Sequence, residues 1–145
     1  MKNRNPPPVG AIKVESIMTR EVIWASPDMT IREIIELLLS KKISGMPVVD
    51  SLHHVISIVS QSDLIQFAAL GGLDRTLSEF MHKLPAATDV VFVHKNDTFT
   101  DVFKKFLTNP VRRVVVIDHT RRIQGIVSRS SLLRAFLDSE YKKAA

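Results

Sequence analysis

The heptapeptide IVSQSDL at residues 58–64 returns as IVSRSSL at residues 126–132, 68 positions later. Sliding the chain against itself by that interval aligns residues 20–65 with 88–133 without a gap and gives ten identities in 46 positions. Unrelated sequences of ordinary composition would agree at roughly one position in sixteen. Val22 and Val90, Thr30 and Thr98, Leu39 and Leu107, Val48 and Val116, and Asp50 and Asp118 are among the identities, and Trp24 with Phe92 and Glu33 with Asp101 are conservative pairs. Self-similarity at a fixed period is the signature of duplication. Upstream, VESIM at 14–18 echoes LSEFM at 77–81 with a shift of 63, which places a five-residue insertion around HKLPAA in the second copy. One substitution stands out inside the matched heptapeptides: Asp63 becomes Ser131.

Each copy reads alike from periodicity. A short amphipathic turn (VESIMTR; LSEFMHK) leads to a brief strand (EVIWA; DVVFV) ended by a polar turn. In TIREIIELLLSKK, Thr30 is the expected N-cap, with Glu33 three residues on, and Ile31, Ile34, Ile35, Leu38 and Leu39 follow helical spacing. Phe99, Val102, Phe103, Phe106 and Leu107 repeat that stripe. GMPVVD and VVVID open a strand, a turn leads to another strand (VISIVS; IQGIVS), and a last helix follows (SDLIQFAAL; SSLLRAFLDSEY). The expectation is an α+β fold with the order β-α-β-β-α, twice. The expected segments are a flexible tail at 1–13, one unit at 14–72 ended by Gly71 and Gly72, a second at 73–138, and a tail at 139–145. Units of about 60 residues are marginal alone, so the two are expected to pack on each other.

Composition narrows the classes of function. Cysteine is absent, which excludes disulfides, thiolate metal sites and cysteine nucleophiles. The five histidines fall at strand ends and in turns, with no metal-ligand spacing beyond the adjacent His53 and His54, and no P-loop, GxGxxG or GxSxG occurs. The reading is therefore of a protein that is not an enzyme and holds no metal. No run reaches the roughly 18 apolar residues of a membrane span, and MKNRNPPPVG lacks the apolar core of a signal peptide, so a cytoplasmic location is expected. Twenty Lys and Arg against fifteen Asp and Glu give a formal charge of +5, which suits an anionic partner.

ESIMTREVIWASPDMTIREIIELL, ISGMPVVD and SIVSQSDL in the first copy, with RRVVVID and GIVSRSSL in the second, resemble the tandem cystathionine β-synthase (CBS) domain pair, or Bateman module. The resemblance spans about residues 14–137. It implies a regulatory, non-catalytic fold in which two CBS units associate through their sheets as a pseudo-two-fold pair. Two clefts would then hold adenosine-containing ligands such as AMP, ADP, ATP or S-adenosylmethionine, and two such modules would pair into a disc-like homodimer. With no effector domain in this sequence, regulation of an unknown partner protein would act in trans.

The resemblance also implies roles for particular residues. Asp63 is the expected ribose acid, its two oxygens matched to vicinal hydroxyls. Ser60 and Ser62 are expected at the phosphate, where a helix N-terminus favours anions. Arg112 and Arg113 are the expected cations, with Arg129 a third candidate, because the guanidinium fork suits phosphate oxygens. Ile43, Met46, Pro47 and Ile58 are the expected adenine walls, with Thr19 and Val22 near the start of the lead strand. From local sequence alone, Ser60 or Ser62 reads equally as an N-cap and Asp63 as a first-turn acid. Ser131 offers a single hydroxyl, so one working site per chain and one degenerate site, at Ser128 and Ser131, are expected. Ser57 and Ser44 also depart from the family pattern, which often has glycine or a basic residue there. The alternative is a dimerisation or interaction module with vestigial pockets. Nucleic-acid binding ranks third, since few aromatics are free to stack on bases.

Overall fold

The computed structural model describes residues 8–144, with side chains through Ser139. By compactness the chain divides into two units, Ile23–Val90 on one side and the described parts of Met1–Val22 and Val91–Ala145 on the other.

In the 23–90 unit, helix α1 (Ile31–Lys41) precedes strands β1 (Gly45–Val49) and β2 (Val55–Ser60), and helix α2 (Gln61–Ala69) follows. Thr30 begins α1 with a full capping box: its hydroxyl oxygen accepts from the Glu33 N–H, and Glu33 Oε1 accepts from the Thr30 N–H at 3.1 Å. That exchange satisfies two of the four donors every helix start leaves open. β1 and β2 pair antiparallel with Met46 opposite Val59 and Pro47 opposite Ile58. Ile31, Ile34 and Leu38 of α1 and Leu64 and Phe67 of α2 meet Met46, Val48 and Val59 in one core. α2 closes at Gly71, whose φ of 79° is the left-handed conformation glycine adopts without strain.

The 91–145 unit repeats the plan. β3 (Phe92–Val93) lies parallel to β4 (Arg113–Ile117), which pairs antiparallel with β5 (Ile123–Ser128). α3 (Phe99–Thr108) precedes β4, and α4 (Arg129–Ala144) follows β5. Thr98 and Asp101 form the capping box of α3, as Thr30 and Glu33 do for α1. Val102 of α3, Val114 and Val116 of β4, Val127 of β5 and Leu132 of α4 share its core.

Three expectations meet corrections. The first lead strand, EVIWA, is not a strand: Ala25 alone bridges to Val48, its N–H donating to the Pro47 carbonyl at 2.9 Å. Pro27 just beyond cannot donate to a ladder, so pairing stops there. The 1–13 tail is bound where it is described: Val9–Ala11 forms a 3₁₀ turn, and the Phe99 N–H donates to the Ile12 carbonyl at 2.7 Å. Residues 1–7 of that segment lie outside the described residues. At the other end α4 runs on to Ala144, with Ser139 buried, and residue 145 lies outside the described residues.

The two lead-in turns change places. Val14–Ser16 joins the second copy: the Val14 N–H donates to the Asp97 carbonyl at 2.8 Å, and Val14 is buried with Val93, Phe99 and Val102. Leu77–Lys83 joins the first: the Leu77 N–H donates to the Met29 carbonyl at 2.8 Å, and Phe80 stacks on Phe67 with ring centroids 4.5 Å apart. Each copy therefore completes its core with the other's lead-in.

Candidate functional site

The strand-to-helix step at Ser60 builds the start of α2. Ser60 is the last residue of β2 and the N-cap of α2, and Asp63 occupies the third helical position. The Ser60 N–H and hydroxyl both donate to Asp63 Oδ2 at 2.8 Å, and the Asp63 N–H donates back to the Ser60 hydroxyl oxygen at 3.3 Å. The capping reading of these residues is thus satisfied, and it engages one carboxylate oxygen. Among the described residues no hydrogen bond reaches Asp63 Oδ1, and Asp63 remains half-buried. Ser62 is exposed at the same helix start. The Gln61 N–H donates to the Ser44 carbonyl at 3.0 Å, so two of the first three N–H groups of α2 are engaged within the chain, while a carboxylate oxygen with lone pairs to spare can accept from a hydroxyl at the positive end of the helix.

Pro47 and Ile58, opposite each other on β1 and β2, share one face of the hairpin, and Ser60 continues that face by alternation. Met46 points the other way. It is fully buried among the helix-side residues, so it cannot share an adenine wall with Pro47 and Ile58. Ile43 is half-buried against the same helix-side core.

The remaining candidates lie in the other unit. Thr19 pairs with Ile126 of β5, their N–H groups and carbonyls exchanging bonds of 2.8 and 3.0 Å, so it sits with the second copy's strands. Val22 belongs to that unit as well. The counterparts, Ala87 and Val90, fall in the unit of Asp63, where the turn Ala87–Asp89 lies against β2. Sequence reasoning missed them; the signal was the change of offset from 63 to 68 across HKLPAA, which marks where the lead-in departs from its own copy. Arg112 is exposed, while Arg113 opens β4 and is partly buried. Burial, with the neighbouring charge of Arg112, holds the Arg113 pKa below the ordinary guanidinium value. Arg129 begins α4 and lines a groove on that unit.

The second helix start substitutes a hydroxyl for the carboxylate. Ser131 Oγ lies 3.1 Å from Ser128 Oγ and accepts from the Ser128 N–H at 3.3 Å, while the Ser131 N–H donates to Ser128 Oγ at 3.3 Å. Ser131 is only 5% exposed. Among the described residues no group of three or more His, Asp or Glu could hold a metal ion, and no helix is long and apolar enough to cross a membrane.

Comparison with known proteins agrees with this architecture. An uncharacterized protein of Methanocaldococcus jannaschii, MJ1232, is 32% identical over 123 residues, covering 85% of this chain and 39% of that protein. This chain therefore spans well under half of that relative. The crystal structure of CBSX2 from Arabidopsis thaliana in complex with AMP superposes with a TM-score of 0.76 at 24% identity, over 90% of this chain and 99% of that one. The CBS domain pair of MJ0100, solved with methylthioadenosine and S-adenosylmethionine, gives 0.74 at 23% identity over 88% and 98%. At those identities the two structures establish the fold. The CBS domain model matches residues 14–70 and again 77–138, so the chain belongs to the CBS domain family and carries the domain as a tandem pair.

Proposed function

We propose that this chain is a non-catalytic regulatory module that binds an adenosine-containing ligand, one of AMP, ADP, ATP or S-adenosylmethionine, with Asp63 as the ribose acceptor. The observation that carries this reading is the half-engaged carboxylate: Oδ2 is spent on the cap, and no hydrogen bond reaches Oδ1 among the described residues. Vicinal hydroxyls donating to Oδ1 would form charge-assisted bonds without dismantling the helix start. Ser60 and Ser62 supply polar groups for the phosphate, and Pro47 and Ile58 an apolar face for the base. The ligands carried by the CBS-pair structures of CBSX2 and MJ0100 support this ligand class. In this reading the protein is cytoplasmic, pairs as a homodimer, and regulates a separate protein in trans.

Isothermal titration with the four ligands, on wild type, Asp63→Ala and Asp63→Asn, tests it. The expected result is one ligand per chain in the wild type, bound at least tenfold more weakly by Asp63→Ala and less weakened in Asp63→Asn, which keeps an acceptor for the cap. If none of the four binds at millimolar concentration the sensor reading fails. The substitution at Ser131 favours a second reading for that outcome, an interaction module with vestigial pockets.

A further inference from the structure

The two copies divide the charge of the chain unevenly. Residues 23–90 hold five Lys and Arg against eight Asp and Glu, and the remainder of the chain holds fifteen against seven. Such an imbalance points to a polyanionic partner for the basic half. The excess gathers at one end of the 91–145 unit. α3 ends at Thr108, β4 begins at Arg113, Arg113 pairs with Ser128 across the hairpin, and α4 begins at Arg129. That end therefore carries Lys104 and Lys105 of α3, Arg112 and Arg113 at the start of β4, and Arg129 and Arg134 of α4. Arg113 is half-buried and the other five are exposed. The matching positions of the first copy hold Glu36, Leu37, Ser44, Gly45, Gln61 and Gln66, and Asp63 there becomes Ser131 here. Lys41 and Lys42 run the other way, becoming Asn109 and Pro110. The formal charge at this end is thus +6 in the second copy and zero in the first.

The acids of this unit lie elsewhere. Asp97 and Asp101 precede and open α3, and Asp118 follows β4, all at the opposite end. The Glu15 N–H donates to the Lys95 carbonyl at 3.0 Å, which holds Glu15 at that end too, and Glu21 adjoins Arg20. On α4, Asp138 and Glu140 come nine and eleven residues after Arg129, about 13 Å or more along the helix axis. Among the described residues Lys104, Lys105, Arg112, Arg129 and Arg134 are in no salt bridge, whereas Arg32 of the acidic unit pairs with Asp74 at 3.0 Å. Crowded like charges raise the energy of the unbound surface, and a polyanion relieves it.

The residue types say which polyanion fits. Four of the six cations are arginine, whose planar fork matches phosphate oxygens. Thr108, Asn109, Ser128 and Ser130 stand among them, the hydroxyl and amide types that join Arg and Lys in phosphate contacts. No aromatic occurs at 107–113 or 128–131, so this surface has no ring on which to stack an unpaired base. A duplex keeps its bases stacked inside and presents one phosphate charge per roughly 1.7 Å of axis. We propose that this end of the 91–145 unit binds the phosphate backbone of a nucleic-acid duplex without reading its bases. This assigns Arg112, Arg113 and Arg129 to the phosphates of a polymer. The function is separate from the adenosine reading: it does not use Asp63, and it is tested with no adenosine ligand present.

Fluorescence anisotropy of the full chain with labelled DNA duplexes of about 20 base pairs decides it. Binding is expected at about 50 mM salt and should weaken about a hundredfold to a thousandfold by about 200 mM, the loss for about four to six phosphate contacts. Two duplexes of unlike sequence should bind within about threefold of each other. Arg129→Glu with Arg134→Glu should weaken binding at least tenfold and lower the salt slope by about two. Lys104→Glu with Lys105→Glu, on the other helix, should do the same, with circular dichroism showing the fold retained in both. Lys41→Glu with Lys83→Glu makes the same change of charge in the 23–90 unit and should weaken binding less than about threefold. Equal losses from the pairs in the two units, no binding at the lower salt, or an affinity that ignores salt overturns the proposal. So does a preference above about tenfold for one duplex sequence. A poly-glutamate peptide or an anionic phospholipid vesicle that binds more tightly than the duplex overturns it too.

Discussion

The two helix starts that follow the duplicated IVS motif differ at one residue, and they solve the same structural problem. At Ser60 the partner is a carboxylate, which accepts from both the N–H and the hydroxyl of the cap. At Ser128 the partner is the Ser131 hydroxyl, which accepts from the N–H and shares a bond with the cap hydroxyl. Capping a helix needs one acceptor at this position, and serine supplies it. Holding a cis-diol needs a further acceptor oxygen, which Asp63 has and Ser131 lacks. The duplication has thus kept the structural duty of the position in both copies, while an acceptor oxygen beyond that duty is present in one.

Exchange experiments on the two positions break this comparison most severely. Asp63→Ala should weaken AMP by about tenfold to a hundredfold, the worth of charge-assisted hydrogen bonds of about 1.5–3 kcal/mol. Ser131→Ala should change AMP affinity less than threefold, because its hydroxyl is buried and engaged by Ser128. Both variants lose a capping partner, so each should lower stability by about 1 kcal/mol in urea denaturation. Similar affinity losses in the two variants would show that both helix starts bind the ligand and would remove the asymmetry.

A smaller effect comes from the strands just before those helices. Ser57 is fully buried and its hydroxyl donates to the Pro85 carbonyl at 2.7 Å, whereas its counterpart is Gly125. A Cβ at Gly125 would meet Met18 Sδ at 2.7 Å and the Thr19 carbonyl oxygen at 3.0 Å. The exchanged lead-ins explain the difference: the segment at Met18 presses on β5, while the one at Pro85 stands off and offers an acceptor to β2. Gly125→Ser should cost roughly 1–2 kcal/mol in urea denaturation, since a methionine side chain can yield but a carbonyl cannot. Ser57→Gly should cost about 1 kcal/mol, through the lost hydrogen bond and the freer backbone. A neutral Gly125→Ser would mean that the lead-in is not held against β5.

The repeat, the four helices, the hairpins and the capping box at Thr30 were legible in the sequence, because each has a local signature: a period, a spacing of three, a turn residue. The site was legible only in part. Ser60 and Asp63 are read from the same heptapeptide that carries the repeat. Met46 was misread because alternation within GMPVV is hidden when all five residues are buried, leaving polarity no means to mark a face. That Thr19 pairs with Ile126 of the second copy was not legible, because the exchange of lead-ins is a tertiary event. Val14 and Leu77 are apolar turn residues that could complete either core, and only packing chooses between them.

The smallest expected effect lies in the hairpin turns, where Asp50 and Asp118 are identical residues in unlike settings. Asp118 Oδ1 accepts from the Thr120 hydroxyl, the Thr120 N–H and the Arg122 N–H, and the hydroxyl bond leads in holding its pKa down to about 2. At Asp50 burial pushes the pKa up, but bonds from the His54 N–H, the His54 ring and the Leu52 N–H outweigh it, so the net direction is also down. A carboxyl whose folded pKa lies below its unfolded value, near 3.9, stabilises the fold above that value, and the contribution fades as pH falls toward the folded pKa. Asp118→Asn keeps an Oδ1 acceptor for the three donors and removes the charge. The stability gap between wild type and this variant should therefore hold steady above about pH 5 and close between about pH 4 and 2, read from urea midpoints. Asp50→Asn should show the same closing with smaller amplitude, because burial opposes the charged form there. Parallel curves for wild type and Asp118→Asn down to pH 2 would show that the turn stabilises the fold through its geometry alone.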